Sequence, residues 1–234
     1  MTELSVGVVT ADLLRLGEEL EAIGRAGVTQ LHVDVSDGVF CPGLTVGTPL
    51  VKALPGDFRK DVHLMVVDPV DKVAAFVDAG ASTITVHVES TRHVHRVLQE
   101  LDGTGVTRGV AVNPGTPITL VEPLLDELEL VLVLAVNPGW GGQRFIPATF
   151  AKLAAARQLI DGRPIALAVD GGITRETVAR VVSCGVDLIV TGSAVFDGVA
   201  PEENARFMLE AVRSAGNQPA SLAGAGHQGG AVHG

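Results

Sequence analysis

The chain has 234 residues and a formal net charge of −10, which suits one large domain and gives no footing for general nucleic-acid binding. With 47% hydrophobic and 19% charged residues it can bury a full core, which excludes global disorder. No apolar run approaches the ~18 residues of a membrane helix, and the longest, 128–136, is broken by Glu129. The start, Met1-Thr2-Glu3-Leu4, lacks a basic region followed by an apolar one. Cys41 and Cys184 form no dense framework, so a cytoplasmic protein is expected.

Apolar runs and helical patterns alternate along the chain. Residues 4–9 read as a strand, followed by a helical pattern over 11–26 with Thr10 as its cap. A second strand over 30–34 precedes a short helical stretch near 49–54, and a third over 61–66 leads into a helix at 69–79 that Asp68-Pro69 opens. Strands at 83–88, 108–112, 130–136, 165–169 and 188–190 follow, and between and after them the helical patterns cover 91–101, 118–125, 148–160, 174–183 and 201–214. Most of the strand runs are rich in Val, Ile and Leu without strict polar alternation, as parallel strands covered on both faces should be. Gly27, Gly80 and Gly185 each fall between a helix end and a strand, the place of a left-handed C′ residue.

Eight such units predict a single (β/α)₈ barrel of the α/β class over residues 1–216. A doubly wound open sheet is the alternative, but it more often carries a Gly-rich loop after its first strand, where this chain has Val9-Thr10-Ala11-Asp12. Residues 217–234, rich in Gly, Ala, Ser and Gln, read as a disordered tail in which His227 and His233 are solvated.

In such a barrel the chemistry gathers at the C-terminal ends of the strands. The second strand brings His32 and Asp34, two residues apart and so on one face; the third brings His63, the fourth His87 and Glu89, the seventh Asp170. Two imidazoles and two carboxylates are ordinary ligands for Zn²⁺, Fe²⁺, Mn²⁺ or Co²⁺. As separate core histidines, His32 and His63 would need only hydrogen bonds, but buried carboxylates beside them call for a cation or donors. His87 and Glu89 read as a supporting hydrogen-bonded pair, and His93 and His95 as surface residues of the following helix.

Three loops suggest a phosphate. Asn137-Pro138-Gly139-Trp140-Gly141-Gly142-Gln143 follows the sixth strand, Asp170-Gly171-Gly172 ends the seventh, and Gly192-Ser193-Ala194 follows the eighth. Lys52, Lys60, Lys72 and Lys152 are the only lysines, and none ends a strand, which disfavours a Schiff-base aldolase. No Ser sits in a G-x-S-x-G elbow.

Across residues 4–214 the chain resembles the ribulose-phosphate 3-epimerase family. The stretches that carry the resemblance are Thr10-Ala11-Asp12, His32-Val33-Asp34-Val35-Ser36-Asp37-Gly38, Val62-His63-Leu64-Met65-Val66, the 136–143 loop, Val169-Asp170-Gly171-Gly172 and Gly192-Ser193-Ala194-Val195-Phe196. The resemblance implies a metal-dependent barrel that interconverts D-ribulose 5-phosphate and D-xylulose 5-phosphate. It implies His32, Asp34, His63 and Asp170 as ligands of one divalent cation, and Asp34 and Asp170 as the acid/base pair on the two faces of the sugar. Gly7, His63, Gly139, Trp140, Gly141, Gly142, Asp170, Gly171, Gly172, Gly192 and Ser193 would meet the substrate or its phosphate. The expected partners are thus a small sugar phosphate and further copies of the chain in a homo-oligomer.

The chain departs from the family's pattern at Gly7 (usually Ser), Ser36 and Leu134 (usually Met), Ala168 (usually Glu) and Gly43 (usually Asn). These changes fall around the pocket and leave the chemistry set intact, so a related ketose phosphate such as D-allulose 6-phosphate, or binding without catalysis, are the alternatives. A decarboxylating lyase of related phosphate-binding barrels would carry Asp-x-Lys on its third strand, where this chain has Asp61-Val62-His63.

Overall fold

A computed structural model describes residues 2–216, so the expected tail with His227 and His233 lies outside the described residues. Eight parallel strands close into a barrel in chain order: β1 (Glu3–Gly7), β2 (Gln30–Ser36), β3 (Arg59–Met65), β4 (Thr83–His87), β5 (Thr107–Val112), β6 (Leu130–Leu134), β7 (Ala166–Asp170) and β8 (Leu188–Thr191). The first and last strands pair, Glu3 beside Leu188, which rules out the open sheet.

Around the barrel run α1 (Leu16–Ala26), α2 (Thr48–Ala53), α3 (Val73–Asp78), α4 (Val94–Leu101), α5 (Thr149–Leu159), α6 (Val178–Val182) and α7 (Pro201–Gly216). The fifth crossover is a 3₁₀ helix, Ile118–Leu124, containing Pro123. Among the described residues no helix is long and apolar enough to cross a membrane.

Four helices begin three or more residues later than their patterns suggest, among them α4, read from 91 and starting at Val94. The Thr10 hydroxyl donates to Gly7 O at 2.9 Å instead of capping a helix, and residues 8–10 form a 3₁₀ turn. Asp12 then accepts the Leu14 N–H at 3.0 Å, a side-chain turn that competes with helix and delays α1 to Leu16. Asp68-Pro69 likewise opens a 3₁₀ turn, Pro69–Asp71, and α3 starts at Val73. Thr174 N–H donates to Thr177 Oγ1 at 2.9 Å, which holds a turn ahead of α6. The C-terminal ends follow the reading: Gly27, Gly80 and Gly185 have φ of 99°, 88° and 74°.

The main core lies between barrel and helices, built from the outward residues of every strand, such as Val6, Leu31, Val33, Val62, Leu64, Ile84, Val131 and Ile189. Inside the barrel the two halves differ. Strands β5–β8 fill it with Ala111, Leu130, Leu132, Leu134, Ala168, Leu188 and Val190. Strands β1–β4 bury Ser5, His32, Asp61, His63, Thr85 and His87 there. Asp34 of β2 and, from the apolar half, Leu134 and Val190 reach the mouth.

Candidate active site

The site grows out of the register between β2 and β3. His32 pairs with Asp61 and Asp34 with His63, so alternation points all four side chains into the barrel from two adjacent strands. On the other side of the mouth Asp170 ends β7 next to Leu134 of β6. One ligand atom each of His32, Asp34, His63 and Asp170 lies within 4.8 Å of the others, so the group can hold a metal ion. His32 Nε2 stands 3.3 Å from Asp34 Oδ1 and His63 Nδ1 stands 3.1 Å from it.

Each imidazole has its remote nitrogen occupied. His32 Nδ1 lies 2.7 Å from Asp61 Oδ2, which also accepts the Ser5 hydroxyl at 3.3 Å. His63 Nε2 lies 2.8 Å from His87 Nε2, and His87 Nδ1 lies 3.0 Å from Glu89 Oε2. Both histidines therefore turn their other nitrogen toward the two carboxylates. His32 Nε2 is buried and makes no hydrogen bond, so the donor set fits a divalent cation: the atom that lacks a partner is one a cation would take.

The electrostatics separate the two carboxylates. Burial works to raise Asp34, but His32 and His63 hold its carboxyl far below the usual range. Burial and then the charge of Asp34 push Asp170 up to about 7. Burial would lower His32, yet Asp61 and Asp34 outweigh it and hold the imidazole well above its ordinary value. Farther back, burial brings His87 down to about 4, while Glu89, against the effect of burial, is drawn to about 2 by bonds from His87, Thr116 and the Asn113 N–H.

Above the cluster opens a cavity of about 310 Å³. Gly7, Asp34, Gly139, Trp140, Gly141, Gly142, Asp170, Gly171, Gly172, Gly192 and Ser193 all line it. His32 and His63 do not; both are fully buried behind Asp34. The glycine spacing is structural as well as permissive: Gly172 has φ of 65°, and a Cβ there would lie 2.5 Å from Phe145 N, two residues past the 137–143 loop. His93, at the N-cap of α4, and His95, on it, are exposed and take no part.

The sequence reading gave no site role to Asp61, Thr10, Thr45 or Met65. Thr10, Thr45 and Met65 line the cavity, and Asp61 holds His32. Asp61 did carry a signal, since it stands two residues before His63 on the same face of the strand.

Residues 3–196 match the profile described as the Ribulose-phosphate 3 epimerase family. Ribulose-phosphate 3-epimerase of Bacillus subtilis (strain 168) is 38% identical over 201 residues, 84% of this chain and 93% of that one. The Rhodobacter capsulatus enzyme of the same name is 42% identical over 203 residues, 84% of this chain and 86% of that one. Among solved structures, 3-hexulose-6-phosphate synthase from Salmonella typhimurium superposes with a TM-score of 0.73 over 92% of this chain and 100% of that one. Its sequence is only 17% identical, a likeness of fold alone. The length and level of the sequence matches leave one conclusion: the chain belongs to the ribulose-phosphate 3-epimerase family and is a carbohydrate epimerase.

Proposed function

We propose that the chain inverts C3 of a ketose phosphate, interconverting D-ribulose 5-phosphate and D-xylulose 5-phosphate. The observation that carries this reading is the pair Asp34 and Asp170, facing one cavity with proton affinities driven apart, one carboxyl far below its ordinary value and the other near 7. Two titratable groups separated in this way by their surroundings are suited to acid and base roles. In one direction Asp34 takes the C3 proton from one face while Asp170 returns a proton to the other; in the reverse direction the roles exchange. His32, Asp34, His63 and Asp170 would hold one divalent cation, Zn²⁺, Fe²⁺, Mn²⁺ or Co²⁺. When bound, the cation would polarise the carbonyl beside C3 and make that proton acidic. Backbone N–H groups around Gly171, Gly172, Gly192 and Ser193 would grip the phosphate.

A six-carbon relative such as D-allulose 6-phosphate is a second reading, supported by the small residues Gly7 and Ser36 on the cavity wall. One experiment separates them: solvent-deuterium exchange at C3 across pentulose and hexulose phosphates with metal-loaded protein. Exchange fastest on D-ribulose 5-phosphate is expected, and no exchange on any of the panel would refute the epimerase reading. Asp34→Asn and Asp170→Asn should each cut exchange by about 10²–10⁴-fold with the fold intact.

A further inference from the structure

Behind the four candidate ligands a chain of contacts runs outward: Asp34, His63, His87, Glu89. His63 and His87 are both fully buried, their Nε2 atoms are 2.8 Å apart, and their rings stack at 4.9 Å between centroids. Phe40 covers the far side of His87 at 4.7 Å. Two imidazole nitrogens at 2.8 Å must share a single proton, so one donates and one accepts. His87 Nδ1 faces Glu89 Oε2 at 3.0 Å, and a carboxylate accepts. A neutral His87 therefore carries its hydrogen on Nδ1 and offers a bare Nε2 to His63. His63 donates its Nε2–H to that nitrogen, and its Nδ1 faces the candidate cation site, 3.1 Å from Asp34 Oδ1.

We infer that His87, held by Glu89, is a positioning residue that accepts the Nε2–H of His63 and so aims the His63 Nδ1 at the cation. Glu89 is itself fixed. Its Oε1 accepts the Asn113 N–H at 2.9 Å, and Lys152 of α5 clamps that loop by donating to Asn113 O, Pro114 O and Thr116 O at 2.8, 2.6 and 2.8 Å. The arrangement parallels Asp61 behind His32, but with a second histidine inserted, so the orienting carboxylate can sit outside the barrel interior near the loop after β5.

The inference rests on His63 being a ligand, and the test keeps the two apart. Long-range ¹H–¹⁵N spectra of the full chain, metal-free and ¹⁵N-labelled, report each histidine tautomer, and calorimetry with Mn²⁺ reports affinity. The expected result is hydrogen on His63 Nε2, protected from solvent exchange, in the unaltered chain. In His87→Phe, which keeps a ring of similar size, that hydrogen should lose its protection and Mn²⁺ affinity should fall about 10–100-fold. Glu89→Gln, on a partly exposed side chain, should move both readouts the same way and covers the case in which His87→Phe does not fold. A purely structural role would lower the melting temperature and leave the His63 spectrum alone. A His63 Nε2 without hydrogen in the unaltered chain, or an unchanged His63 spectrum and Mn²⁺ affinity in the variants, overturns the inference. Failure of the unaltered chain to bind Mn²⁺ would overturn the ligand reading itself, and this inference with it.

Discussion

Asp170 stores an electrostatic strain that can be measured. Burial and the neighbouring charge of Asp34 lift it to about 7 from an ordinary 3.8. The folded state thus prefers the protonated acid. Its contribution is fully present below the ordinary carboxyl value and is lost as pH rises toward about 7. In the metal-free chain Asp170→Asn should therefore be stabilising, by on the order of 1–2 kcal/mol at pH 8 and by almost nothing at pH 4, read by urea denaturation in chelator. Equal stability of the two proteins at both pH values would contradict the assignment. The same groups govern cation uptake. His32, held well above its ordinary value, and Asp170, near 7, must both release protons before they can ligate. Mn²⁺ affinity should rise with pH through about 7, and calorimetry at pH 6.5 in buffers of different ionisation enthalpy should register one to two protons released per ion. A further prediction concerns Asp61, whose charge and bond orient His32. Asp61→Asn should weaken Mn²⁺ binding about 10–100-fold, and an affinity within twofold of the unaltered chain would remove Asp61 from that role. His32, Asp34, His63 and Asp170 could be read as a group because each ends an apolar run. Asp61 shares the His63 face of its strand, but its role comes from pairing with His32 across two strands, and that register has no local signature.

Strands were more legible than helices for a physical reason. A parallel strand buried on both faces is written as a continuous Val/Ile/Leu run, and all eight runs became strands with ends shifted by a residue or two. Helix starts depend on which side chain wins a backbone N–H, and here Asp12 and the Thr174/Thr177 pair stabilise turns ahead of the helices. The 3₁₀ turn at 8–10 has a consequence for the site. It turns Thr10 back toward the mouth, where its Oγ1 would lie 2.6 Å from any Cβ at Gly192. The loops after β1 and β8 are in this way packed edge to edge, as are the loops after β6 and β7 at Gly172 and Phe145. Gly172→Ala combines a positive φ with that close approach, and the contacting atom is backbone that cannot swing aside. It should cost about 1–3 kcal/mol in stability and raise KM for the sugar phosphate more than it lowers kcat. An Ala variant with unaltered stability and KM would mean that the two loops move freely past one another.

At the scale of the whole molecule, the barrel interior is divided into an apolar half that is satisfied by itself and a polar half that is not. Leu130, Leu132, Leu134, Leu188 and Val190 gain from burial without any ligand. Asp34, Asp61 and Asp170 crowd three carboxyl groups around His32 and His63, which a divalent cation would relieve. A cation that binds only the folded chain adds RT ln(1 + [L]/Kd), about 2.7 kcal/mol at a hundredfold excess over Kd. For a domain of this size that amounts to a rise of roughly 5–10 °C in Tm. The division makes a sharper demand than the rise itself. Leu132, 1% exposed, belongs to the apolar half and to none of the ligand contacts. Leu132→Ala should cost about 2–5 kcal/mol through the cavity it leaves. Because the Leu132 side chain has no polar or charged group to couple to the ligands, that loss and the Mn²⁺ gain should add, with the Mn²⁺-dependent increment the same in Leu132→Ala as in the unaltered chain. His87→Phe should behave in the opposite way, with a smaller increment. Thermal melts of the three proteins with and without Mn²⁺ measure both, and a reduced increment in Leu132→Ala would show that the apolar layer, and not only the polar network behind His32 and His63, sets the geometry of the site.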